Sequence, residues 1–256
     1  MDLKFDKSYI TGYHSSSQIA RVLTENWICD NMYCPRCGNR ALRHFENNRP
    51  VADFYCPICQ NEYELKSKQG SLDKKITDGA YETMIRRITS NKNPDFFFMN
   101  YSTEASVVKD LILIPKHFFL PEIIEKRKPL ATTARRAGWV GCNILLDKIP
   151  AQGRIPIITD GALMDRDSVV RQVNRTAGLE TKNLNARGWL MDILRCTEHL
   201  DAEQFLLRDL YSFEGELRQK HPDNHNIRPK IRQQLQLLRD KGFIEFLGNG
   251  TYRKVN

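Results

Sequence analysis

Four cysteines in the N-terminal quarter of the chain have the number and spacing of a metal site. Cys34 and Cys37 form one C-x2-C pair, and Cys56 and Cys59 form a second pair after eighteen intervening residues. Each pair can present two thiolates to one ion from a tight turn, and two such pairs at this spacing are typical of four-thiolate zinc sites. Four thiolates leave no position for water, so the sequence predicts a structural Zn2+. The alternative is two free or redox-active C-x2-C pairs.

The same stretch carries two carboxylates and a lysine that could act on a phosphodiester. Asp53 precedes the second cysteine pair, and Glu64 and Lys66 follow it with the spacing that puts both on one face of a strand. Two neighbouring carboxylates suit Mg2+, which prefers oxygen ligands and keeps several waters. A lysine beside them could orient or deprotonate a metal-bound water, as phosphodiester hydrolysis requires. The alternative is a solvated strand face of alternating charges.

The positions of these residues predict two sites on one hairpin. If RPVADFYC (49–56) and EYELKSK (62–68) pair, Asp53 lies across from Glu64 or Lys66, with the second cysteine pair in the loop between the strands. Apolar neighbours such as Val51 make the strands look buried, and buried charges need a reason. We expect the zinc to fix the register and the magnesium site to perform the chemistry. Glu25 on the first helix could support the metal site indirectly, and is otherwise an exposed charge.

Composition limits the class of protein. With 256 residues, 41% of them hydrophobic, the chain can form one large domain or two ordinary ones. No apolar run is long enough to span a membrane, and residues 1–17 lack the apolar region of a secretory signal. We therefore expect a cytoplasmic protein with no membrane partner. An odd cysteine count argues against a disulfide framework, which leaves Cys29, Cys142 and Cys196 as buried or free thiols.

An excess of positive charge favours a polyanionic partner. The chain has 39 lysines and arginines against 31 acidic residues, a formal charge of +8. Part of this excess is concentrated in residues 126–136, with five basic residues and no acid, and in residues 228–241, with five basic residues and one acid. Such clusters attract phosphates by steering and counterion release. Simple solubility is the alternative, and charge alone barely separates the two.

The predicted elements divide the chain into an α/β domain and a mostly helical domain. In the first part, the patterns predict helices at 15–31 and 74–91 and further strands at 94–101, 110–116 and 153–161. In the second, they predict helices at 187–199, 203–220 and 228–242, then a hairpin at 243–255 around Gly-Asn-Gly. Three helices and a terminal hairpin are the order of a winged helix. The polar segment 176–187 is the candidate linker, and we place the domains at 1–182 and 183–256.

The sequence resembles two groups of known nucleases. Asp53, Glu64 and Lys66 resemble the D…E-x-K pattern of the PD-(D/E)XK nuclease superfamily, although Ala52 stands where proline is usual. Longer stretches, in order and over nearly the entire chain, resemble the DpnI family of restriction endonucleases. They are HFENNRPVADFYC, ELKSK, NPDFFF, RKPLA, TARRAGW, GCNI and KIRQQLQ.

The resemblance implies a methyl-directed type II site-specific deoxyribonuclease. Such an enzyme cuts double-stranded DNA at GATC only when the adenine carries an N6-methyl group. It also implies an N-terminal nuclease domain with Mg2+ and Zn2+, in which Asp53, Glu64 and Lys66 are catalytic and the four motif cysteines bind zinc. A C-terminal winged helix would read the same sequence. The runner-up is a zinc-stabilised methylated-DNA-binding protein without nuclease activity, and a third reading is a repair or resolvase nuclease. The number of chains at the site stays open, a monomer included.

The methyl specificity that this resemblance implies directs attention to the segment RRAGWVGCN (135–143). An N6-methyl group adds a small apolar bump in the major groove and leaves one N–H donor on the adenine. Trp139 could supply the apolar surface that reads it, while Arg135 and Arg136 hold phosphates or guanines. The alternative is that Trp139 belongs to the core and the arginines to the surface.

The third helix of a winged helix is the expected reader of the major groove. Arginine can pair with guanine and glutamine with adenine. The candidates on this helix are Arg228, Lys230, Arg232, Gln233 and Gln236. The hairpin adds Arg253 and Lys254 as phosphate contacts. The alternative is a charged solvent face over a core stripe of Leu235 and Leu238.

Overall fold

The computed structural model describes residues 1–46, 52–72, 74–90 and 93–255. The chain separates into two compact units, Met1–Thr176 and Ala177–Asn256. The first residues of the predicted strand 49–56, Val51 among them, and the last residue of the predicted helix 74–91 lie outside the described ranges. No helix within those ranges combines the length and the apolar character that a membrane crossing requires.

The first unit is a mixed α/β structure. Its helices are α1 (Ser16–Asn31), α2 (Tyr81–Thr89) and α3 (Arg166–Ala177). Its strands are β1 (Arg43–His44), β2 (Phe54–Tyr55), β3 (Glu62–Gln69), β4 (Lys75–Ala80), β5 (Asp95–Ser102), β6 (Val107–Ile114), β7 (Ile124–Lys126), β8 (Gly141–Leu145), β9 (Ile155–Thr159) and β10 (Ala162–Leu163). Short 3-10 turns lie at Lys7–Ile10, Lys116–Phe118, Pro121–Ile123, Leu146–Lys148 and Ala151–Gly153. The predicted first helix and the strands β3, β5, β6 and β9 are confirmed.

A seven-stranded sheet is the framework of this unit. Its order is β1-β2-β3-β5-β6-β9-β10, with β3 and β5 parallel and the other neighbours antiparallel. The central strand β5 is buried on both faces, as its run of phenylalanines requires. The register pairs Glu64 with Phe96 and Lys66 with Phe98, so the two charged side chains sit beside an aromatic layer.

The two faces of this sheet have different roles. On one face, Trp27 and Ile28 of α1 pack with Tyr63, Phe97 and Met99 in the main hydrophobic core. This burial fixes α1 against β3, because alternate residues of the strands point toward the helix. The opposite face carries Glu64 and Lys66 and the aromatic layer, and it is the face that holds the candidate site.

A second, three-stranded antiparallel sheet has the order β4-β8-β7. The prediction of one helix over 74–91 is wrong in its first half, since Lys75–Ala80 forms β4 and only Tyr81–Thr89 is helical. Thr77, Asp78 and Gly79 are weak helix formers, and this segment instead pairs with β8, Asp78 opposite Cys142. The burial of Met84 and Ile88 anchors α2 directly after the strand.

The second unit has the element order of a helix-turn-helix domain with a hairpin. Its helices are α4 (Leu184–Glu198), α5 (Leu207–Leu210), α6 (Glu214–Lys220) and α7 (Ile227–Asp240), with a 3-10 turn at Tyr211–Phe213. Its strands are β11 (Gln204–Leu206), β12 (Ile244–Gly248) and β13 (Thr251–Lys254), in the order β11-β13-β12. The predicted first and third helices and the terminal hairpin are confirmed.

The predicted helix over 203–220 is wrong as a single element. Its first residues form β11, where Phe205 is buried and pairs with Tyr252 of β13. This third strand pairs with backbone N–H and C=O groups along one edge of the hairpin, which would be unpaired in a two-stranded hairpin. Helix α7 buries the predicted stripe of Leu235 and Leu238 together with Ile231, which holds the helix against the rest of this unit.

Candidate active site

The two cysteine pairs form knuckles with the same backbone geometry. Cys34 N–H donates to the Asn39 carbonyl, and Cys56 N–H donates to the Asn61 carbonyl. Each knuckle ends in a left-handed residue, Gly38 at φ +73° and Gln60 at φ +59°, whose N–H returns to the carbonyl of the first cysteine. The predicted turn geometry is therefore present twice.

The four cysteine sulfurs converge on one point. All of them lie within 4.8 Å of one another, and the pairs Cys34–Cys59 and Cys37–Cys56 are each 3.6 Å apart. A tetrahedral zinc with Zn–S bonds of about 2.3 Å requires sulfurs about 3.8 Å apart. The cluster can therefore hold a metal ion, and its donor set and spacing fit zinc.

Neighbouring groups support the cysteine cluster. The Tyr63 hydroxyl lies 3.0 Å from the Cys34 sulfur, and Arg166 of α3 donates to the Gly38 carbonyl. Burial alone would raise the pKa of the Cys56 thiol, but hydrogen bonds from the backbone N–H groups of Cys59 and Ile58 help bring it to about 7. Donors directed at sulfur favour the thiolate at Cys56, the form that binds metals, whereas burial raises the pKa of the Cys34 thiol and raises the pKa of the Cys59 thiol to about 11.

The second knuckle is the turn of the β2–β3 hairpin. β2 pairs antiparallel with β3, Phe54 opposite Tyr63. The Asp53 N–H donates to the Tyr63 carbonyl, and the Asp53 carboxylate accepts the Leu65 N–H at 2.8 Å. The predicted hairpin is present, and it brings the Asp53 carboxylate against the peptide that joins Glu64 to Leu65.

Glu64 and Lys66 belong to a row of alternating charges. Lys66 Nζ lies 2.5 Å from Glu64 Oε1 and also contacts Asp78 Oδ1, and Arg87 of α2 contacts Glu64 Oε2. Glu64 is only 7% exposed, which excludes a freely solvated strand face. Buried charges persist when they are paired, and this row is formally neutral.

Burial and neighbouring charges act in opposite directions on these groups. Burial raises the pKa of the Glu64 carboxyl, and Lys66 and Arg87 oppose that shift without cancelling it. Burial also disfavours the charged form of Lys66, but Glu64 and Asp78 outweigh it and raise the pKa of the ammonium above its ordinary value. Lys66 is therefore a cation that two carboxylates hold in place.

Asp78 and Arg87 were missed by the sequence reasoning. Both lie in the segment that was predicted as one helix, and the strand β4 is what directs Asp78 toward Lys66. The Thr-Asp-Gly run at 77–79 was the available signal, because these residues favour turns and caps over helix interiors.

Glu25 is not the exposed charge that the sequence favoured. Its two oxygens lie 2.8 Å from Arg21 Nε and 3.1 Å from His44 Nε2, and its side chain is only partly exposed. The hydrogen bond from Arg21 to Glu25 is the largest cause that raises the pKa of that guanidinium, and the charge of Asp53 adds to it. Glu25 is therefore part of a polar group with Arg21 and His44.

Residues 127–140 form a closed loop between β7 and β8. Leu130 N–H donates to the Trp139 carbonyl, and Gly138 N–H donates to the Leu130 carbonyl. Trp139 is half-buried and lies outside the core, with the Arg136 guanidinium 4.5 Å above its ring. Arg135 and Arg136 are exposed beside it. The loop thus presents an aromatic ring and two cations side by side, on a segment that two backbone hydrogen bonds close.

A bare stretch of backbone lies under the Trp139 ring. A Cβ placed on Gly141 would come within 2.8 Å of two carbons of that ring. Only glycine leaves this space open, so the first residue of β8 determines how closely the ring approaches the strand. β8 in turn pairs with β4, where Ala80 stands opposite Gly141, and the Tyr81 N–H donates to the Val140 carbonyl.

The candidate readers in the second unit fall into two groups. Arg232, Gln233 and Gln236 are on the exposed face of α7, where Arg232 contacts the Tyr211 hydroxyl at 2.9 Å and Lys230 contacts Gln233 at 2.8 Å. The remaining three contact carboxylate or carbonyl oxygens of the chain. Arg228 pairs with Glu214, Arg253 with Glu245, and Lys254 with the Leu200 carbonyl.

The three cysteines outside the cluster are free thiols. Cys142 and Cys196 are buried, and Cys29 is half-buried. Burial is the largest cause that raises the pKa of Cys29 and Cys142 to about 11 and that of Cys196 to about 12. These thiols have little thiolate character at neutral pH, in line with the prediction.

Two family profiles match this chain. One, DpnI, described as the Dam-replacing family, matches residues 1–182. The other, described as the Dam-replacing HTH domain, matches residues 185–254. Together they span both compact units, and they imply a methyl-directed restriction endonuclease whose helix-turn-helix domain binds DNA. The chain therefore belongs to the DpnI family, the Dam-replacing family.

Proposed function

We propose that this protein is a type II endonuclease that cleaves double-stranded DNA at GATC containing N6-methyladenine, by Mg2+-dependent phosphodiester hydrolysis. The proposal is supported by the β2–β3 hairpin, on which the Asp53 carboxylate accepts the Leu65 N–H and Glu64 pairs with Lys66, in a chain of the DpnI family. We assign this unit to the PD-(D/E)XK superfamily. We place its domain at 1–182, the winged helix at 183–256 and the protein in the cytoplasm, where it meets its DNA.

Asp53 and Glu64 are the residues that would hold Mg2+. They are oxygen donors, and only two protein ligands suit an ion that keeps several waters. Both oxygens of the Glu64 carboxylate contact cationic side chains, those of Lys66 and Arg87. The surroundings of this carboxylate therefore favour a positive charge beside it. When bound, the ion would polarise the scissile phosphate and lower the pKa of a bound water.

Lys66 is the residue that would help to generate and place the attacking hydroxide. Its ammonium is anchored by two carboxylates, which fixes where its hydrogen-bond donors point. In-line attack on phosphorus breaks the bond to the 3′ oxygen, and leaves a 5′-phosphate and a 3′-hydroxyl. A fixed cation beside the reacting phosphate also stabilises the charge of the transition state.

The cysteine cluster would hold a structural Zn2+. Since Cys56 and Cys59 lie in the turn between β2 and β3, a metal there would fix the register that sets Asp53 against Leu65. The zinc would stabilise the hairpin and take no part in the chemistry, because four thiolates fill its coordination sphere.

Trp139, with Arg135 and Arg136, would read the methylated base. The half-buried ring offers an apolar surface to an N6-methyl group, and the arginines suit phosphates or guanine. In the second unit, Arg232, Gln233 and Gln236 on the exposed face of α7 would enter the major groove. Lys230 would contribute to DNA binding directly. Three further basic residues would contribute only if they exchanged their present partners in the chain for phosphates: Arg228, Arg253 and Lys254.

The test is digestion of one plasmid prepared with and without adenine methylation at GATC, with Mg2+ present. Wild-type protein would run beside Lys66→Met and beside Lys68→Met, which changes the next lysine on the same face of β3. We expect cleavage of the methylated plasmid alone, lost in Lys66→Met and kept in Lys68→Met. A protein that shifts methylated DNA on a gel and cuts neither plasmid would be a binding protein without nuclease activity. Equal cutting of both plasmids would refute the methyl requirement.

A further inference from the structure

Asp78 contributes a carboxylate to the active-site region from a different sheet. It lies on β4, and its Oδ1 contacts Lys66 Nζ, while the side chain is only 7% exposed. A carboxylate this buried is costly unless a cation pairs with it. The partner here is the lysine to which the proposed function gives a role in placing the nucleophile.

Lys66 is consequently held from two directions. Glu64 Oε1 lies 2.5 Å from Nζ on its own strand, and Asp78 Oδ1 approaches from β4. Two carboxylates share the attraction of one ammonium. If Asp78 were neutral, Glu64 would be the only carboxylate that attracts the Lys66 ammonium in this pair of contacts. Lys66 would then bind Glu64 more strongly and compete more strongly with any metal ion for that carboxylate.

The backbone that carries Asp78 is paired within a sheet. Asp78 pairs with Cys142 of β8, and Ala80 pairs with Gly141 after a bulge at Gly79. The same strand continues into α2, whose Arg87 contacts Glu64, so one continuous segment, 75–89, supplies a contact to both Lys66 and Glu64. Anchoring on a sheet gives a positioning side chain more precision than a loop would.

We propose that Asp78 is a positioning residue of the active site, which holds Lys66 in place and limits its competition with the metal ion for Glu64. This inference rests on the proposed function, because it assigns Glu64 to the metal and Lys66 to the nucleophile. Asp78 acts through Lys66 and is not itself a ligand of the metal.

The test is the affinity for Mn2+, measured by calorimetry on the full chain without DNA. We expect Asp78→Asn to weaken Mn2+ binding about tenfold, as losses of groups that orient metal ligands do. Glu125→Gln is the matched control, since Glu125 is an ion-paired carboxylate of the same small sheet that contacts Lys75 and Asn143. It should leave the affinity unchanged.

A double-mutant cycle separates positioning from direct ligation. In a Lys66→Met background, Asp78→Asn should have no further effect on Mn2+ affinity. An equal loss in both backgrounds would make Asp78 a ligand or a general contributor of charge, and would overturn the proposal. So would an Asp78→Asn protein with wild-type affinity, or a wild-type protein that binds no Mn2+.

Cleavage of methylated duplex DNA with saturating Mg2+ provides a second readout. Asp78→Asn should lower the single-turnover rate and leave the DNA dissociation constant unchanged, whereas a folding defect would change both. Asp78→Glu, which keeps the charge, should recover part of the metal affinity. If Asp78→Asn melts at a lower temperature than the control, the comparison of Asp78→Glu with Asp78→Asn at a temperature where both are folded decides, and equal affinities would overturn the proposal. If wild-type protein binds Mn2+ but cuts no methylated DNA, the proposed function fails while the cycle still decides the role of Asp78.

Discussion

Gly141→Ala should weaken the discrimination between methylated and unmethylated DNA without unfolding the protein. The added Cβ would come within 2.8 Å of two Trp139 ring carbons. Carbon atoms pack at about 3.5–4.0 Å, so the ring must retreat by roughly 0.7–1.2 Å. The ring is half-buried and lies on a loop, so it can lift while β8 keeps its pairing. The stability cost should stay at the low end of the about 1–3 kcal/mol seen for overpacking.

The size of the functional effect follows from the lost contact with the methyl group. Burial of one methyl-sized group stabilises a complex by about 0.8 kcal/mol. When the Trp139 ring moves away, the gap of roughly 0.7–1.2 Å removes up to half of the dispersion energy between ring and methyl group and lets water reach the methyl group. We expect the ratio of single-turnover cleavage rates, methylated over unmethylated, to fall by up to about fourfold for each methyl group that Trp139 contacts. The assay uses duplexes that differ only in adenine methylation.

The matched control is Gly79→Ala, because Gly79 lies in the same small sheet and a Cβ there meets nothing within 4 Å. Displacement of the ring can be followed by acrylamide quenching, since the other two tryptophans, Trp27 and Trp189, are each only 2% exposed. An unchanged rate ratio in Gly141→Ala, with quenching that shows a displaced ring, would refute the role of Trp139 in reading the methyl group.

Three further outcomes follow from the contacts. Tyr63→Phe removes the hydroxyl beside Cys34 Sγ and should weaken Zn2+ binding by about 10–100-fold in a competition with a chromogenic chelator; unchanged affinity would show that the hydroxyl does not support the metal. Because burial raises the pKa of Cys142 to about 11, it should react with an alkylating reagent at pH 8 at least about 100-fold more slowly than a free thiol, and fast labelling of the folded protein would contradict this. Ile231→Ala, at a fully buried position of α7, should cost about 2–5 kcal/mol in urea unfolding, whereas the exposed Leu237→Ala should cost less than about 0.5 kcal/mol.

The hairpin was predictable because all of its signals are local. The cysteine spacing, the alternation around Glu64 and the turn between the pairs lie within a few tens of residues. The knuckle geometry then follows from one left-handed residue after each pair. Local patterns of this kind specify the register of a hairpin before any long-range contact forms.

The rest of the site depends on tertiary contacts that periodicity does not encode. Asp78 reaches Lys66 only because β4 joins a separate sheet with β8. The apolar spacing of α2 predicts a helix over 74–91 and so hides β4. Likewise, the pattern over 203–220 predicts a helix and hides β11, because Tyr252, the partner of Phe205, lies far along the chain. In both cases pairing with a distant strand decided the structure, and at β4 the weak helix propensity of Thr77, Asp78 and Gly79 agreed with it.

The most direct test of the central claim is the cleavage rate of a short duplex with a single GATC site. The duplex would be prepared unmethylated and fully methylated at adenine, and each would be incubated with excess wild-type protein and Mg2+. Cleavage of the methylated duplex, at a rate at least about 100-fold above that of the unmethylated one, would match a discrimination of roughly 3 kcal/mol, as a pair of well-read base contacts can supply. Equal rates on the two duplexes, or methylated DNA that is bound and never cut, would contradict the account.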